Sequence, residues 1–225
     1  MYHQVEDRWD GSSTSVSAAA FKRQMGFLKD HRYRVISLAD FLKELKANKR
    51  ISFKTVVVTF DDGYANNLKN AFPILKQLDL PATIFVITEN INQEGWLAEE
   101  DLRILDDSGV SIGSHTVDHA FLPSLSAQEA FFELTESKKR LEKILGHPVT
   151  LFSYPAGGVT QETKELVKKA GYDGAVTTNY GTSRKDPYAL HLIKITEAGG
   201  NLFGFWIKTS GLYHLGKKRM EINGS

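Results

Sequence analysis

Short apolar runs alternate with amphipathic helical segments from one end of this chain to the other. Residues 2–5, 33–36, 55–60, 82–87, 110–113, 150–154, 175–178 and 192–195 read as strands. The helices between them carry their own end signals. Ser17 caps a helix running through Lys29, Ser37 one running through Lys46, and Ser126 a long one closed by Gly146. Thr160 precedes another, whose last turn is rich in lysine and which ends at Gly171. Repeated strand–helix units imply parallel strands with crossover helices, and about eight of them favour a barrel over an open sheet. In such barrels the chemistry lies where the strands end.

Polar residues able to do chemistry do fall where the apolar runs stop. Asp61 and Asp62 follow "VVVTF", His115 and His119 follow "SIGS", and Tyr154 and Pro155 follow "LFS". Two adjacent carboxylates at the end of a buried strand are costly unless a cation or a hydrogen-bond network compensates them. His115 and His119 stand four residues apart, a spacing that puts both imidazoles on one face if the segment turns helically. One Asp with two His leaves an open position on a divalent cation, the pattern of a catalytic zinc-type site. The second carboxylate is then available as a base toward bound water. The competing reading is that one Asp caps the turn in "DDGYANN", which leaves both histidines unexplained.

Composition narrows the function classes. With 28 Lys plus Arg against 27 Asp plus Glu, no net field favours nucleic acid, and the densest basic cluster, Lys138 to Arg140, sits in an amphipathic helix pattern. The absence of cysteine excludes disulfides, thiolate metal sites and cysteine nucleophiles. No apolar stretch is long enough to span a bilayer. The chain reads as one barrel domain over residues 1–225. "MYHQV" opens abruptly inside a strand, so residues upstream, including an export signal, are expected to be missing, and an extracytoplasmic or cell-surface location is favoured.

"TFDDG", "SHTVDH" and "FSYPAGG" together resemble the polysaccharide deacetylases of the fourth carbohydrate esterase family, and "YHQV" is similar to the opening strand of a bacterial exopolysaccharide-deacetylase subgroup. The resemblance implies a distorted (β/α) barrel of about seven or eight parallel strands. It also implies metal-dependent removal of N-acetyl groups from a glycan containing N-acetylglucosamine. Carried over position by position, it makes Asp61 the catalytic base and Asp62, His115 and His119 the ligands of a divalent metal, zinc first, with cobalt, nickel or manganese as alternatives. The Ala156 backbone N–H becomes an oxyanion donor, and Tyr64, Tyr154 and Pro155 become substrate contacts, with Trp96 and Tyr180 as further aromatic candidates. Two motifs depart from the family. Ser153 and Ala156 stand where an Arg and an aromatic residue are usual, and Glu197 stands where the general-acid His is usual. His3 and His191 are the candidates for that acid, each with a structural role as the competing reading. A glycan-binding barrel without turnover, and a hydrolase of O-acetyl esters or non-sugar amides, stay open as alternatives.

Overall fold

The computed structural model describes residues 1–179, 186–197 and 201–210. Its strands are β1 (Gln4–Glu6), β2 (Ser15–Ser17), β3 (Arg34–Val35), β4 (Thr55–Val56), β5 (Thr59–Phe60), β6 (Thr83–Val86), β7 (Ser111–Ser114), β8 (Leu151–Ser153), β9 (Gly174–Thr177) and β10 (Leu190–His191). Its α-helices are α1 (Ala18–Asp30), α2 (Leu38–Lys46), α3 (Phe72–Leu78), α4 (Glu99–Asp107), α5 (Ala127–Leu145), α6 (Gln161–Lys169) and α7 (Leu202–Thr209). Strands β5 to β10 form one all-parallel sheet in chain order, while β1 with β2 and β3 with β4 form two small parallel pairs. Helices α3 to α6 supply the crossovers between successive strands from β5 to β9, as parallel pairing demands. The sheet curls into a half-barrel with flanking helices.

Alternate residues of the strands serve two apolar clusters, because successive side chains point to opposite faces. Ile84, Val86, Phe152 and Ala175 pack with Leu102, Leu105, Leu134 and Leu141 of α4 and α5. Phe85, Leu151 and Val176 pack on the other side with Leu38 and Leu42 of α2. Each fully buried side chain of this kind contributes roughly 1.5–3 kcal/mol relative to exposure. The central strands are therefore apolar throughout, and polar residues are displaced to their ends.

The helix boundaries follow the capping signals. Ser17, Ser37, Ser126 and Thr160 each accept a backbone N–H from the first turn, and Ser126 forms a reciprocal box with Glu129. Gly146 ends α5 at φ +78°. The strands depart more from expectation. The run 55–60 is split, because Thr55–Val56 pairs with β3 whereas Thr59–Phe60 joins β6 in the main sheet. Among the described residues the main sheet has six strands, not seven or eight, and the opening segment joins it through a parallel bridge between Tyr2 and Phe60. The last strand is Leu190–His191, not 192–195; Leu192 still donates to the Thr177 carbonyl, after which the backbone leaves the ladder and buries Ile195. Strand β2 has no alternating apolar pattern, and its pairing with β1 makes it one.

Candidate active site

Three strand ends converge on one spot. Asp61 and Asp62 follow β5, His115 follows β7, and Ser153 closes β8. The bridge Tyr2–Phe60 brings the opening segment to the same level, with Tyr2 N–H donating to the Thr59 carbonyl and Asp61 N–H donating to the Tyr2 carbonyl. That register sets His3 level with Asp61. His3 also feels the cluster, since burial pulls it down to about 4 while Asp62 opposes that shift and Lys194 and His115 add to it.

The Asp62 Oδ1 atom lies 3.5 Å from His115 Nε2 and 3.7 Å from His119 Nε2. One ligand atom from each of the three residues falls within 4.8 Å of the others. Those separations are too long for good hydrogen bonds. Ligand atoms 2.0–2.1 Å from a tetrahedral zinc lie about 3.3 Å from one another, so the spacing suits a shared cation. The donor set is correct as well, since Asp62 Oδ1 is buried with no hydrogen-bond partner. His115 Nδ1 lies 2.8 Å from the Ser153 carbonyl. A carbonyl only accepts, so Nδ1 carries a proton and Nε2 is the nitrogen that faces Asp62 and is left for a metal. The residues present therefore fit a divalent metal.

The charges are arranged accordingly. Burial pushes Asp62 upward, yet the neighbouring rings of His115, His3 and His119 outweigh it and hold the carboxyl below the usual range. Burial alone would lower His115, but Asp62, Asp61 and the Ser153 carbonyl together raise it. His119 is lowered by burial and by His115. Asp61 is 4% exposed, and burial first, then Asp62, raises it despite His115 and Ser153. Asp61 Oδ1 has no partner, and Oδ2 receives only the Ser153 hydroxyl at 3.4 Å.

The backbone that presents these groups is unusual. Asp62, Thr116, His119 and Ala156 have φ of +78°, +67°, +67° and +50°. Left-handed conformations at non-glycine residues cost of order 1–3 kcal/mol each and gather where the surroundings enforce them. His115 and His119 are therefore not brought together by a helical turn, as their spacing suggested. β7 places the first, and a loop with two left-handed residues returns the second. Capping is likewise not the task of either Asp, since the segment after Tyr64 enters its helix without a side-chain cap. Gly63 has φ +89°, and a Cβ there would meet Val86 at 3.3 Å, so glycine is required beside the doublet.

The expected substrate contacts divide. Tyr64 is half-buried and stacks on Trp96 at 4.4 Å and 20°, the two joined by an antiparallel bridge at the rim. Tyr154 is 2% exposed, packs edge-on against Phe152 and donates its hydroxyl to the Tyr188 carbonyl. Pro155 is also buried. Neither Tyr154 nor Pro155 offers a face to a ligand; the apolar pattern of "LFSYP" continues into the core, which single positions in a sequence do not reveal. Ala156, by contrast, is exposed directly after them. The Glu197 carboxylate is engaged by the Ser17 hydroxyl and amide at the start of α1. His191 ends β10, at the far edge of the sheet from β5. His31 stacks on Phe27 and His147 pairs with Asp106 at 2.6 Å, both remote from the cluster in the fold. Tyr180 and His214 lie outside the described residues. The role of Ser153 had no signal in its residue type, because its closest contact with the cluster is made by a backbone carbonyl.

A curled parallel sheet with an Asp–His–His cluster at its strand ends, buried at His115 and open to solvent at His119, defines a barrel hydrolase whose cluster could hold a metal ion. The profile of the polysaccharide deacetylase family matches residues 48–175, and the chain belongs to that family. It is 35% identical over 212 residues to the Bacillus subtilis protein YxkH, which is named as a polysaccharide deacetylase, covering 93% of this chain and 75% of that one. It is 28% identical over 199 residues to the poly-β-1,6-N-acetyl-D-glucosamine N-deacetylase of Staphylococcus aureus, covering 81% and 68%. Among solved structures, the polysaccharide deacetylase BC0361 of Bacillus cereus is similar at TM-score 0.80 and 32% identity, covering 93% and 67%. The Streptococcus pyogenes deacetylase PplD, solved with acetate, gives TM-score 0.80 at 28% identity, covering 87% and 90%.

Proposed function

We propose that this chain removes N-acetyl groups from a polymer containing N-acetylglucosamine, with a divalent metal held by Asp62, His115 and His119. The observation that carries this reading is the convergence of those three side chains beside a second buried carboxylate, Asp61, with an unpaired oxygen on each acid. The named activity of the Staphylococcus aureus relative supports the choice of glycan. Zinc leads among the metals, with cobalt, nickel and manganese as alternatives for the same ligand set. A polymer of this kind places the enzyme outside the cytoplasm or at the cell surface.

When bound, the cation supplies a Lewis acid that polarises the acetyl carbonyl and lowers the pKa of water. Asp61 accepts the proton of the attacking water through its unpaired Oδ1. Burial makes this carboxylate more basic than an exposed one, which suits it both to take the proton and to return it to the leaving amine. His3 is neutral in the resting site, since burial lowers it to about 4, and its position level with Asp61 makes it, of the two candidate histidines, the one placed to relay that proton. The Ala156 N–H, which has no protein acceptor among the described residues, is the donor assigned to the developing oxyanion. The Tyr64–Trp96 pair offers an apolar surface for a sugar ring at the rim.

The test is acetate release from a β-1,6-linked N-acetylglucosamine oligomer by metal-loaded protein, by chelated protein, and by chelated protein resupplied with zinc. Release that stops with chelator and returns with zinc is expected. Oligomer binding without release, or release indifferent to chelator, would overturn the assignment.

A further inference from the structure

We infer that Glu133 of α5 is a positioning residue that sets the spacing of the two histidines and thereby the affinity of the site for its metal. The inference rests on the reading of Asp62, His115 and His119 as metal ligands.

Within the segment that joins the histidines one side chain closes the turn, with Thr116 Oγ1 donating to the His115 carbonyl at 2.6 Å and accepting Ala120 N–H at 3.2 Å, and the amides of Val117 and Asp118 are left to outside partners. Thr116 and His119 are both left-handed, and for the β-branched Thr116 this is a genuine outlier. Neighbouring groups must enforce the conformation. The carbonyls of Thr116 and Val117 are held from one side by Thr88 N–H at 3.1 Å and Glu89 N–H at 2.8 Å. The amides of Val117 and Asp118 face the other way, and neither reaches a backbone acceptor among the described residues. Both are taken by a single atom, Glu133 Oε2, at 2.8 Å and 3.4 Å. A carboxylate accepting amide hydrogens forms charge-assisted bonds, stronger than those between neutral groups.

The same helix grips the other end of the segment one turn later. Ser137 lies four residues after Glu133 and so shares its face of α5. Ser137 Oγ lies 2.6 Å from the Glu133 carbonyl and 2.8 Å from Ser114 Oγ. Because Ser137 donates its proton to that carbonyl, Ser114 must donate to Ser137, which leaves Ser114 Oγ to accept Thr116 N–H at 3.3 Å. The chain of bonds from Ser114 to the backbone of α5 therefore has one direction. It fixes the strand end that carries His115, while the Glu133 carboxylate fixes the loop that carries His119. Ser114, Ser137 and Thr116 are fully buried and Glu133 is 9% exposed, so water competes little for these bonds.

The experiment measures zinc affinity of the full chain by competition with a chromophoric chelator, together with the absorption spectrum of the cobalt-loaded protein and the apo Tm. Glu133→Ala is expected to weaken zinc binding about 10- to 100-fold, the range for losing a partner that orients metal ligands, and to alter the cobalt spectrum. Glu133→Gln keeps an acceptor for Val117 but loses the charge, and should fall between wild type and the alanine variant. Leu141→Ala, on the same helix and buried in the core, should lower Tm while leaving zinc affinity and the cobalt spectrum as in wild type. Zinc affinity in Glu133→Ala equal to wild type would overturn the clamp, as would Leu141→Ala weakening zinc as much as Glu133→Ala. Failure of the wild-type protein to bind zinc or cobalt at all would instead overturn the ligand assignment itself.

Discussion

Replacing Asp61 with Asn separates what this carboxylate does for the reaction from what it costs the fold. The side chain is buried, one oxygen is unpaired and the other receives only a 3.4 Å hydroxyl from Ser153. Asn keeps the shape and one acceptor, so weakening that single long hydrogen bond costs less than about 1 kcal/mol. What disappears is a desolvated negative charge beside Asp62. Losing a general base slows a reaction typically 10²- to 10⁴-fold, which is about 2.7–5.4 kcal/mol of barrier. The chelated variant should at the same time be more stable than wild type at neutral pH. Asp61 has a folded-state pKa above its ordinary value of 3.8, so protonation favours the folded state. Its favourable contribution is complete below 3.8 and is lost as pH rises through the folded pKa. The Tm advantage of Asp61→Asn should therefore widen from acid to neutral pH. Acetate release by zinc-loaded protein and thermal unfolding in chelator measure the two effects. Activity within tenfold of wild type would remove Asp61 from the role of base, and a lower Tm at neutral pH would refute the desolvation argument.

Three further outcomes are expected. Ser153→Ala removes the weak hydroxyl bond to Asp61 but retains the carbonyl that holds His115 Nδ1, so zinc affinity measured by chelator competition should be unchanged and acetate release should fall less than tenfold. Gly113→Ala would set a Cβ 2.5 Å from the Phe85 ring and 3.0 Å from the Leu151 carbonyl, and denaturant unfolding should show a loss of about 1–3 kcal/mol. His147, raised chiefly by its bond to Asp106, contributes stability that is full below 6.5 and lost as pH rises through its raised folded pKa. His147→Gln should therefore lower the free energy of unfolding at pH 5.5 more than at pH 8.5, by no more than about 1 kcal/mol for so exposed a pair, as read by denaturant unfolding at the two pH values.

Much of the barrel is legible in the residues. Helix starts at Ser17, Ser37, Ser126 and Thr160 are written in local chemistry, because a cap is satisfied within its own first turn. The candidate cluster could be read for a related reason: a carboxylate doublet and paired histidines bring donor side chains to the places where apolar runs stop. The short strands were less legible. β2 and β10 have two or three residues each, and their pairing is decided by neighbours far away in the chain.

Local order fixed which residues could bind a metal, since donor chemistry belongs to side chains and strand ends follow from apolar runs. Only the folded chain decided how they meet. A left-handed loop, not a helical turn, returns His119 to His115, a parallel bridge between Tyr2 and Phe60 raises His3 to the level of Asp61, and core packing withdraws Tyr154 from the rim. Each depends on contacts between segments remote in sequence, and such contacts are set by how the sheet curls and by which helix lies against it.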